Sequence, residues 1–147
     1  GFRFDGVETA LPAPGVLEAL GSANAVILCP SNPWVSLDPI LEVPGIRQAL
    51  AGKAVVGVSP IIRGQALKGP AAKMARELGI EASTAAIADH FRGLLSGWVM
   101  DTQDAAEAER VQNAGAIAHT TDIVMKTSAD RRRLAEDVLD FARRLTG

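Results

Sequence analysis

The sequence predicts an α/β fold in which a parallel sheet is covered by helices on both sides. Short apolar runs bounded by turn-forming residues alternate with segments of helical periodicity over most of the 147 residues. Strands that alternate with helices in this way are typical of parallel sheets packed between helical layers. No internal repeat or long linker interrupts the alternation, so we expect one domain over residues 1–147.

The first half of the chain contains two predicted buried strands, each preceded by a short helix. Residues 1–12 alternate weakly, which indicates either an edge strand or a lead-in segment. Pro14 suits the first turn of a helix and Gly21 suits its end. A second helix follows Pro44-Gly45 and ends at Gly52. Helices are therefore predicted at 14–21 and 46–51, and strands at 25–28 and 54–58.

The second half continues the alternation. Pro70 opens a helix that Gly79 ends, and Asp101 or Thr102 caps another. Ser128 is predicted to cap the last helix, whose apolar residues recur with the 3.6-residue period of an amphipathic face. Helices are predicted at 70–79, 83–92, 102–113 and 128–145, and strands at 98–100 and within 116–125. The whole pattern predicts a Rossmann-like three-layer sandwich, with a mostly parallel sheet and helices on both faces.

Composition narrows the function classes. A formal net charge of -2 does not indicate a surface that binds nucleic acid or an anionic membrane. Cys29 is the single cysteine, so no disulfide forms within the chain, and we expect a reducing, cytoplasmic setting. Cys29 itself is interpreted as a small buried residue. The dense basic cluster Arg131-Arg132-Arg133 is interleaved with acids and is interpreted as a solvated helix face.

Two polar loops follow the first two strands, and the carboxyl ends of parallel strands meet at one edge of a sheet. Pro30 and Pro33 restrict the first loop, so the side chains of Ser31 and Asn32 point in set directions. The second loop, residues 59–64, offers a hydroxyl, free backbone N–H groups and a guanidinium. Lys68 and Lys73 add positive charge near the next helix. Together the two loops predict an anion site, with ordinary loop chemistry as the alternative.

Other candidate residues leave alternatives open. Asp101 follows a strand and precedes a helix, so it is a cap, a magnesium ligand or a sugar contact, and the cap is favoured. Trp34 either packs in the core or stacks on a planar ligand, and packing is favoured. His90 and His119 stand far apart in sequence without cysteine or paired carboxylates at ligand spacing, which argues against zinc.

Several of these motifs resemble the 2-phospho-L-lactate transferase family of coenzyme F-420 biosynthesis. The matching motifs are Cys29-Pro30-Ser31-Asn32-Pro33 with Ser36, Val58-Ser59-Pro60-Ile61 with Gly64, Lys68-Gly69-Pro70 with Lys73, and Asp101 with Asp104. The resemblance covers about residues 14–147 and matches the carboxyl-terminal part of a family whose members run about twice this length. The glycine-rich loop of the family's amino-terminal half does not occur in this sequence.

The resemblance implies a transferase that moves a phospholactyl or phosphoenolpyruvyl group from a guanosine diphosphate conjugate to the deazaflavin Fo. GMP would be released with the assistance of Mg²⁺, and a homo-oligomer is expected. In this sequence, Asp101 is the candidate ligand of the metal. Trp34 is the candidate contact for the deazaflavin. The implied nucleotide- and phosphate-binding residues are Ser31, Asn32, Pro33, Ser36, Ser59, Arg63, Gly64, Lys68 and Lys73.

Two other functions remain open from the sequence. The family resembles non-catalytic regulators of the gluconeogenesis-factor type that bind nucleotide sugars, although their matching loop reads more like Gly-Pro-Gly-Ser-Leu. A scaffold that kept the sheet and lost the ligand is the other alternative, and the retention of both polar loops argues against it.

Overall fold

Four parallel strands form the main sheet of the computed structural model, which describes residues 2–67 and 69–147. A short antiparallel hairpin, formed by Ile61–Ile62 and Gln65–Ala66, follows the second strand of this sheet along the chain. The strands are β1 (Ala25–Leu28), β2 (Ala54–Val58), β3 (Ile61–Ile62), β4 (Gln65–Ala66), β5 (Gly97–Asp101) and β6 (Ile117–Thr121). The main sheet has the order β1-β2-β5-β6, so each strand pairs with the next of the four along the chain.

Helices connect these strands. They are α1 (Val16–Ser22), α2 (Asp38–Leu41), α3 (Ile46–Leu50), α4 (Ala71–Glu77), α5 (Thr84–His90), α6 (Ala108–Asn113) and α7 (Ser128–Thr146). Tighter or wider helical turns occupy Val7–Thr9, Pro33–Leu37 and Thr102–Glu107. In the described ranges, no helix combines the length and the apolar character that crossing a bilayer requires.

The core lies on both faces of the sheet because successive strand residues point to opposite sides. Val55, Trp98 and Met100 point to the side that α2 to α6 cover. Val56 and Val99 point to the other side, where α7 covers the sheet with Leu134, Val138, Phe141 and Ala142. The predicted three-layer α/β sandwich is therefore confirmed.

The structure corrects several local expectations. Residues 2–12 contain a single turn of 3-10 helix, Val7–Thr9, and no strand among those described. The stretch after Asn32 was expected to be loop, yet it forms helical turns over Pro33–Leu41, since proline is well tolerated in a first turn. Thr127, rather than Ser128, caps α7.

Candidate functional site

A cleft of about 330 Å³ opens at the carboxyl edge of the sheet. One wall is the loop after β1, residues 30–32, and a second wall is the segment after β6, residues 123–126, together with Arg131 of α7. Pro60 and Leu67 complete the lining. The loops after β1 and β2 therefore meet at one edge, as the sequence predicted, but the segment after β6 was not expected there.

Asn32 shapes the first wall. Its Oδ1 accepts hydrogen bonds from the backbone N–H groups of Trp34 at 3.0 Å and Val35 at 3.2 Å. Its Nδ2 donates to the sulfur of Met74 at 3.2 Å, which ties the loop to α4. Asn32 thus caps the helical turn that begins at Pro33, and both ends of its amide hold the wall in place.

Trp34 and Ser36 follow this wall along the chain, and neither lines the cleft. Trp34 is 4% exposed and belongs to the core, with its ring centroid 5.9 Å from that of His90 in an edge-on arrangement. The structure thus favours the packing alternative for Trp34, and its contact with a deazaflavin stays a prediction. Ser36 is exposed and does not line the cleft.

The loop after β2 is folded more tightly than expected. Ser59 is fully buried, and its hydroxyl donates to the Ile61 carbonyl at 2.8 Å and accepts from the Ile61 N–H at 3.2 Å. Arg63 and Gly64 form the turn of the β3–β4 hairpin, with φ values of 48° and 71°. These three residues therefore organise the hairpin and lie outside the cleft lining, and their ligand contacts stay a prediction.

The predicted lysines are not brought to the cleft lining by the described structure. Lys73 is exposed on α4 and lies 3.6 Å from Glu77, one turn further along the helix. Lys68 lies outside the described residues. Of the predicted binding residues, Ser31 and Asn32 line the cleft, and Pro33 lies buried directly behind them.

The second wall is held by hydrogen bonds from three directions. The buried Asp101 carboxylate accepts from the Gln103 N–H at 3.0 Å and from the Ile123 N–H at 3.2 Å. The Arg133 guanidinium donates to the Asp122 carbonyl at 2.7 Å. Asp130 accepts from the N–H groups of Lys126 and Thr127 at 3.0 and 2.7 Å. This wall is therefore fixed before any ligand binds.

Asp101 acts in this structure as the helix cap that the sequence favoured. Its neighbour Asp104 is also buried, and both of its oxygens accept from the Arg63 N–H, at 2.9 and 3.1 Å. Burial raises the pKa of Asp104; the Arg63 N–H bond partly opposes this shift and the Asp101 charge adds to it.

Both buried carboxylates at this edge are engaged in hydrogen bonds within the fold. Asp101 and Asp104 already accept backbone N–H groups. Across residues 2–67 and 69–147, no three His, Cys, Asp or Glu side chains gather as metal ligands. The metal role of Asp101 stays a prediction that would require these hydrogen bonds to be exchanged for metal bonds.

Sequence reasoning missed Lys126 and Arg131, which line the cleft together with Ser31 and Asn32. The predicted solvated helix face is confirmed for Arg131 and Arg132, which are exposed on α7, but the sequence did not indicate that Arg131 also borders the cleft. Cys29 was also misplaced: it is exposed and lines an apolar recess of about 300 Å³ beside the cleft, together with Arg131 and Met125. The edge position of β1 explains this exposure, because no further strand of the described chain covers it.

A larger hollow of about 760 Å³ lies at the opposite, amino-terminal edge of the sheet. Two cations that line this hollow already donate hydrogen bonds to backbone carbonyls. Lys53 donates to the carbonyls of Gly21 and Ala23. Arg92 donates to the carbonyl of Asn113. Ligands of open parallel sheets bind at the carboxyl ends of the strands, so the cleft there is the better candidate site.

A sequence model of the family described as 2-phospho-L-lactate transferase CofD matches residues 3–139. The chain belongs to this CofD family. A phosphoenolpyruvate transferase of Streptomyces coelicolor is 44% identical over 140 residues, which are 93% of this chain and 44% of the relative. The 2-phospho-L-lactate transferase of Methanosarcina barkeri is 35% identical over 139 residues, 95% of this chain and 45% of the relative.

The CofD-family chain therefore spans less than half the length of these curated relatives. The resemblance inferred from the Pro30–Pro33 and 58–61 motifs is confirmed at the level of the family. Within this CofD-family fold, the first motif forms a wall of the cleft, whereas the second leads from β2 into the β3–β4 hairpin and places Pro60 in the cleft lining.

Proposed function

We propose that this chain forms the carboxyl-terminal α/β part of a transferase that moves a phospholactyl or phosphoenolpyruvyl group from a guanosine diphosphate conjugate to the deazaflavin Fo. The proposal is supported by the family, by the names of its relatives and by the cleft at the carboxyl edge of the sheet. Its cytoplasmic location, its homo-oligomeric state and the absence of nucleic-acid and membrane partners stay predictions.

The observation that carries the proposal is the chemistry of the cleft lining. Ser31 and Asn32 share the cleft lining with Lys126 and Arg131. The Ser31 hydroxyl and the N–H of Asn32 Nδ2 that is not donated to Met74 are donors to phosphate oxygens, as are the two cations. A diphosphate of a nucleotide donor would therefore find both hydrogen-bond donors and positive charge.

The proposed reaction is the attack of an alcohol on phosphorus. A bond forms between the terminal hydroxyl oxygen of Fo and the phosphorus that carries the three-carbon acid, and the bond from that phosphorus to the GMP oxygen breaks. The hydroxyl proton leaves to solvent or a base, and GMP departs with the bonding electrons as an anion. Catalysis of this class rests on positioning and on stabilising the charge that develops on the leaving phosphate.

Within the described chain, the cleft residues would hold the donor. Lys126 and Arg131 would neutralise charge on its phosphates, while the fixed walls would limit its motion. Mg²⁺ stays part of the expectation drawn from the family resemblance. The buried carboxylates at this edge already accept hydrogen bonds within the fold.

A thermal-shift titration tests the proposal. This chain and a protein of the relatives' full length would be titrated with GDP, Fo and a nucleotide sugar, each with and without Mg²⁺. A ligand that binds the folded state at 100 times its Kd adds about 2.7 kcal/mol to the free energy of unfolding. We expect GDP and Fo to raise the melting temperature of the full-length protein.

The contrast between two serines locates the site. Ser31→Ala should weaken the GDP-dependent shift, whereas Ser36→Ala should leave it unchanged, because Ser36 does not line the cleft. Stabilisation by the nucleotide sugar without any response to Fo would instead support a non-catalytic regulator. A full-length protein that responds to none of the three ligands would contradict the proposed function.

A further inference from the structure

Three consecutive arginines near the start of α7 have different surroundings in the structure. Arg132 Nε donates to Glu136 at 2.8 Å, one turn along the same helix. Arg133 donates to the Asp122 carbonyl and lies 3.3 Å from the Asp122 carboxylate. Arg131 forms no ion pair with a carboxylate in residues 2–67 and 69–147. The positive charge of Arg131 is therefore not balanced by a carboxylate of the described residues.

Arg131 is also the only one of the three that lines the cleft. It shares this lining with Lys126, and the lining contains no Asp or Glu from the part of the chain that the structure describes. Two exposed cations without an acid thus share this lining with Ser31 and Asn32, in a chain whose formal net charge is -2. Coulombic attraction in such a partly enclosed space selects an anion.

The position of Arg131 in the fold is unfavourable without a ligand. It lies in the first two turns of α7, which begins at Ser128. A cation near the positive end of a helix dipole is destabilising, and an ion pair would offset this effect. Local rules of stability are broken most often at functional sites. An anionic ligand in the cleft would supply the missing partner.

The surroundings of Arg131 also support its aliphatic stem. Arg131 borders the apolar recess lined by Cys29, Met125 and Leu134 as well as the polar cleft. Long basic side chains bury their stems along apolar surface while the charged head stays in a polar environment. The Arg131 side chain is exposed, so its charged head is available to a ligand at the border of the recess and the cleft.

We propose that Arg131 binds the diphosphate of the nucleotide donor, with Lys126 as a second cation on the same wall. The inference rests on the proposed function, to which it adds the residue that binds the phosphate groups of the donor. A planar guanidinium makes two parallel hydrogen bonds to phosphate oxygens, whereas the lysine ammonium acts as a point charge. The binding group is thus the diphosphate and not the guanine base or the three-carbon acid.

The experiment compares Arg131→Met with Arg132→Met in the full-length protein. Both side chains are exposed and both variants lose one positive charge from the same helix, but Arg132 pairs with Glu136 and does not line the cleft. Methionine keeps much of the apolar stem that borders the recess. Dissociation constants for GDP, inorganic pyrophosphate and guanosine would be measured by isothermal titration calorimetry, with unfolding midpoints as a check on folding.

We expect Arg131→Met to weaken binding of GDP and pyrophosphate about 10- to 100-fold, the range for hydrogen bonds to charged groups. Its effect on guanosine should be small, and Arg132→Met should change every dissociation constant by less than about 2-fold. The salt dependence of GDP binding should also become shallower in Arg131→Met. Lys126→Met should give a smaller loss in the same direction.

Failure of the two proposals would look different. Equal GDP binding by both arginine variants and the wild type would overturn the role of Arg131 while leaving the proposed function intact. Pyrophosphate binding that depends on Arg131, without any binding of GDP, would keep the anion site and overturn the guanosine donor. Binding of neither anion by the wild type would overturn both.

Discussion

Asp104 illustrates at the scale of one residue how a buried carboxylate fixes the edge of the site. It is 6% exposed, and both oxygens accept from the Arg63 N–H at the turn of the hairpin. Burial raises its pKa above the ordinary value of 3.8. The folded protein therefore holds the proton of Asp104 up to a higher pH than the unfolded chain does.

This difference in proton binding gives stability a pH dependence. Between the ordinary pKa and the raised one, the folded state binds more protons, so the free energy of unfolding falls as pH rises through this window. Asp104→Asn cannot ionise and should lack this decline. We therefore expect the variant to gain stability relative to the wild type as the pH rises through the window.

Urea unfolding from acidic to neutral pH measures the effect. The difference between variant and wild type cancels the other carboxylates, and Asp140→Asn on the exposed face of α7 controls for loss of a surface charge. A difference between Asp104→Asn and the wild type that stays constant across the series would show that Asp104 ionises as in the unfolded chain.

Single residues were predictable from the sequence where their role is local. Ser31 and Asn32 follow a strand and lie between two prolines, and the structure places both at the cleft. Arg131 could not be separated from Arg132 and Arg133, because the partners Glu136 and Asp122 are chosen by helix phase and by the fold. The i,i+4 spacing of Arg132 and Glu136 is visible in the sequence, but the pairing of Arg133 with Asp122 and the place of Arg131 in the cleft lining depend on the fold.

At the scale of elements, the helical turn Pro33–Leu37 connects the first wall of the cleft to the core. Asn32 caps this turn through Oδ1 and contacts Met74 through Nδ2. Asn32→Asp keeps an acceptor for the cap but brings a negative charge to the cleft. We expect it to weaken GDP binding at least about 10-fold, and to lower the free energy of unfolding less than loss of the cap does, because only the Nδ2 bond to Met74 is lost.

Asn32→Ala is the comparison, since it removes the cap as well. It should lower the free energy of unfolding by about 0.5–2 kcal/mol and also weaken GDP binding. Denaturant unfolding and calorimetric titration on both variants separate the two effects. Wild-type affinity for GDP in Asn32→Asp would place the donor away from this wall.

Elements with strong local signals were predicted well. Strands β1 and β2 and helix α4 follow from apolar runs and from proline and glycine at their ends. The β3–β4 hairpin was missed because two-residue strands have no periodicity to detect. Thr127 and Ser128 both carry hydroxyls, and the reciprocal bonds between Thr127 and Asp130 decide which residue caps α7.

At the scale of the whole molecule, two glycines let large rings approach opposite faces of the sheet. Gly57 of β2 lies under the Trp98 ring, which donates from Nε1 to the Thr84 hydroxyl at 2.8 Å. Gly97 of β5 lies under Phe141 of α7 on the other face. The alternation of strands and helices in the sequence predicted the layers. Which ring packs over which glycine could not be predicted, because it depends on the register of neighbouring strands and on how the helices pack on the sheet.

Alanine at either glycine should therefore destabilise the fold. An added Cβ would lie 2.5 Å from the Trp98 ring at position 57 and 2.6 Å from the Phe141 ring at position 97. Neither ring can move without disturbing its layer, and overpacking of this kind costs about 1–3 kcal/mol. Trp98 is further restrained by its bond to Thr84, so Gly57→Ala should have the larger effect.

Gly21→Ala provides the matched control, because Gly21 lies inside α1 and its added Cβ would meet no atom within 4 Å. It should be neutral or stabilising by about 0.5–1 kcal/mol, since alanine favours helix. Urea unfolding of the three variants measures these differences. If Gly57→Ala unfolded at the same urea concentration as Gly21→Ala, the Trp98 ring would have room to move. The helix layer that supports the first wall of the cleft would then be less tightly packed than the structure indicates.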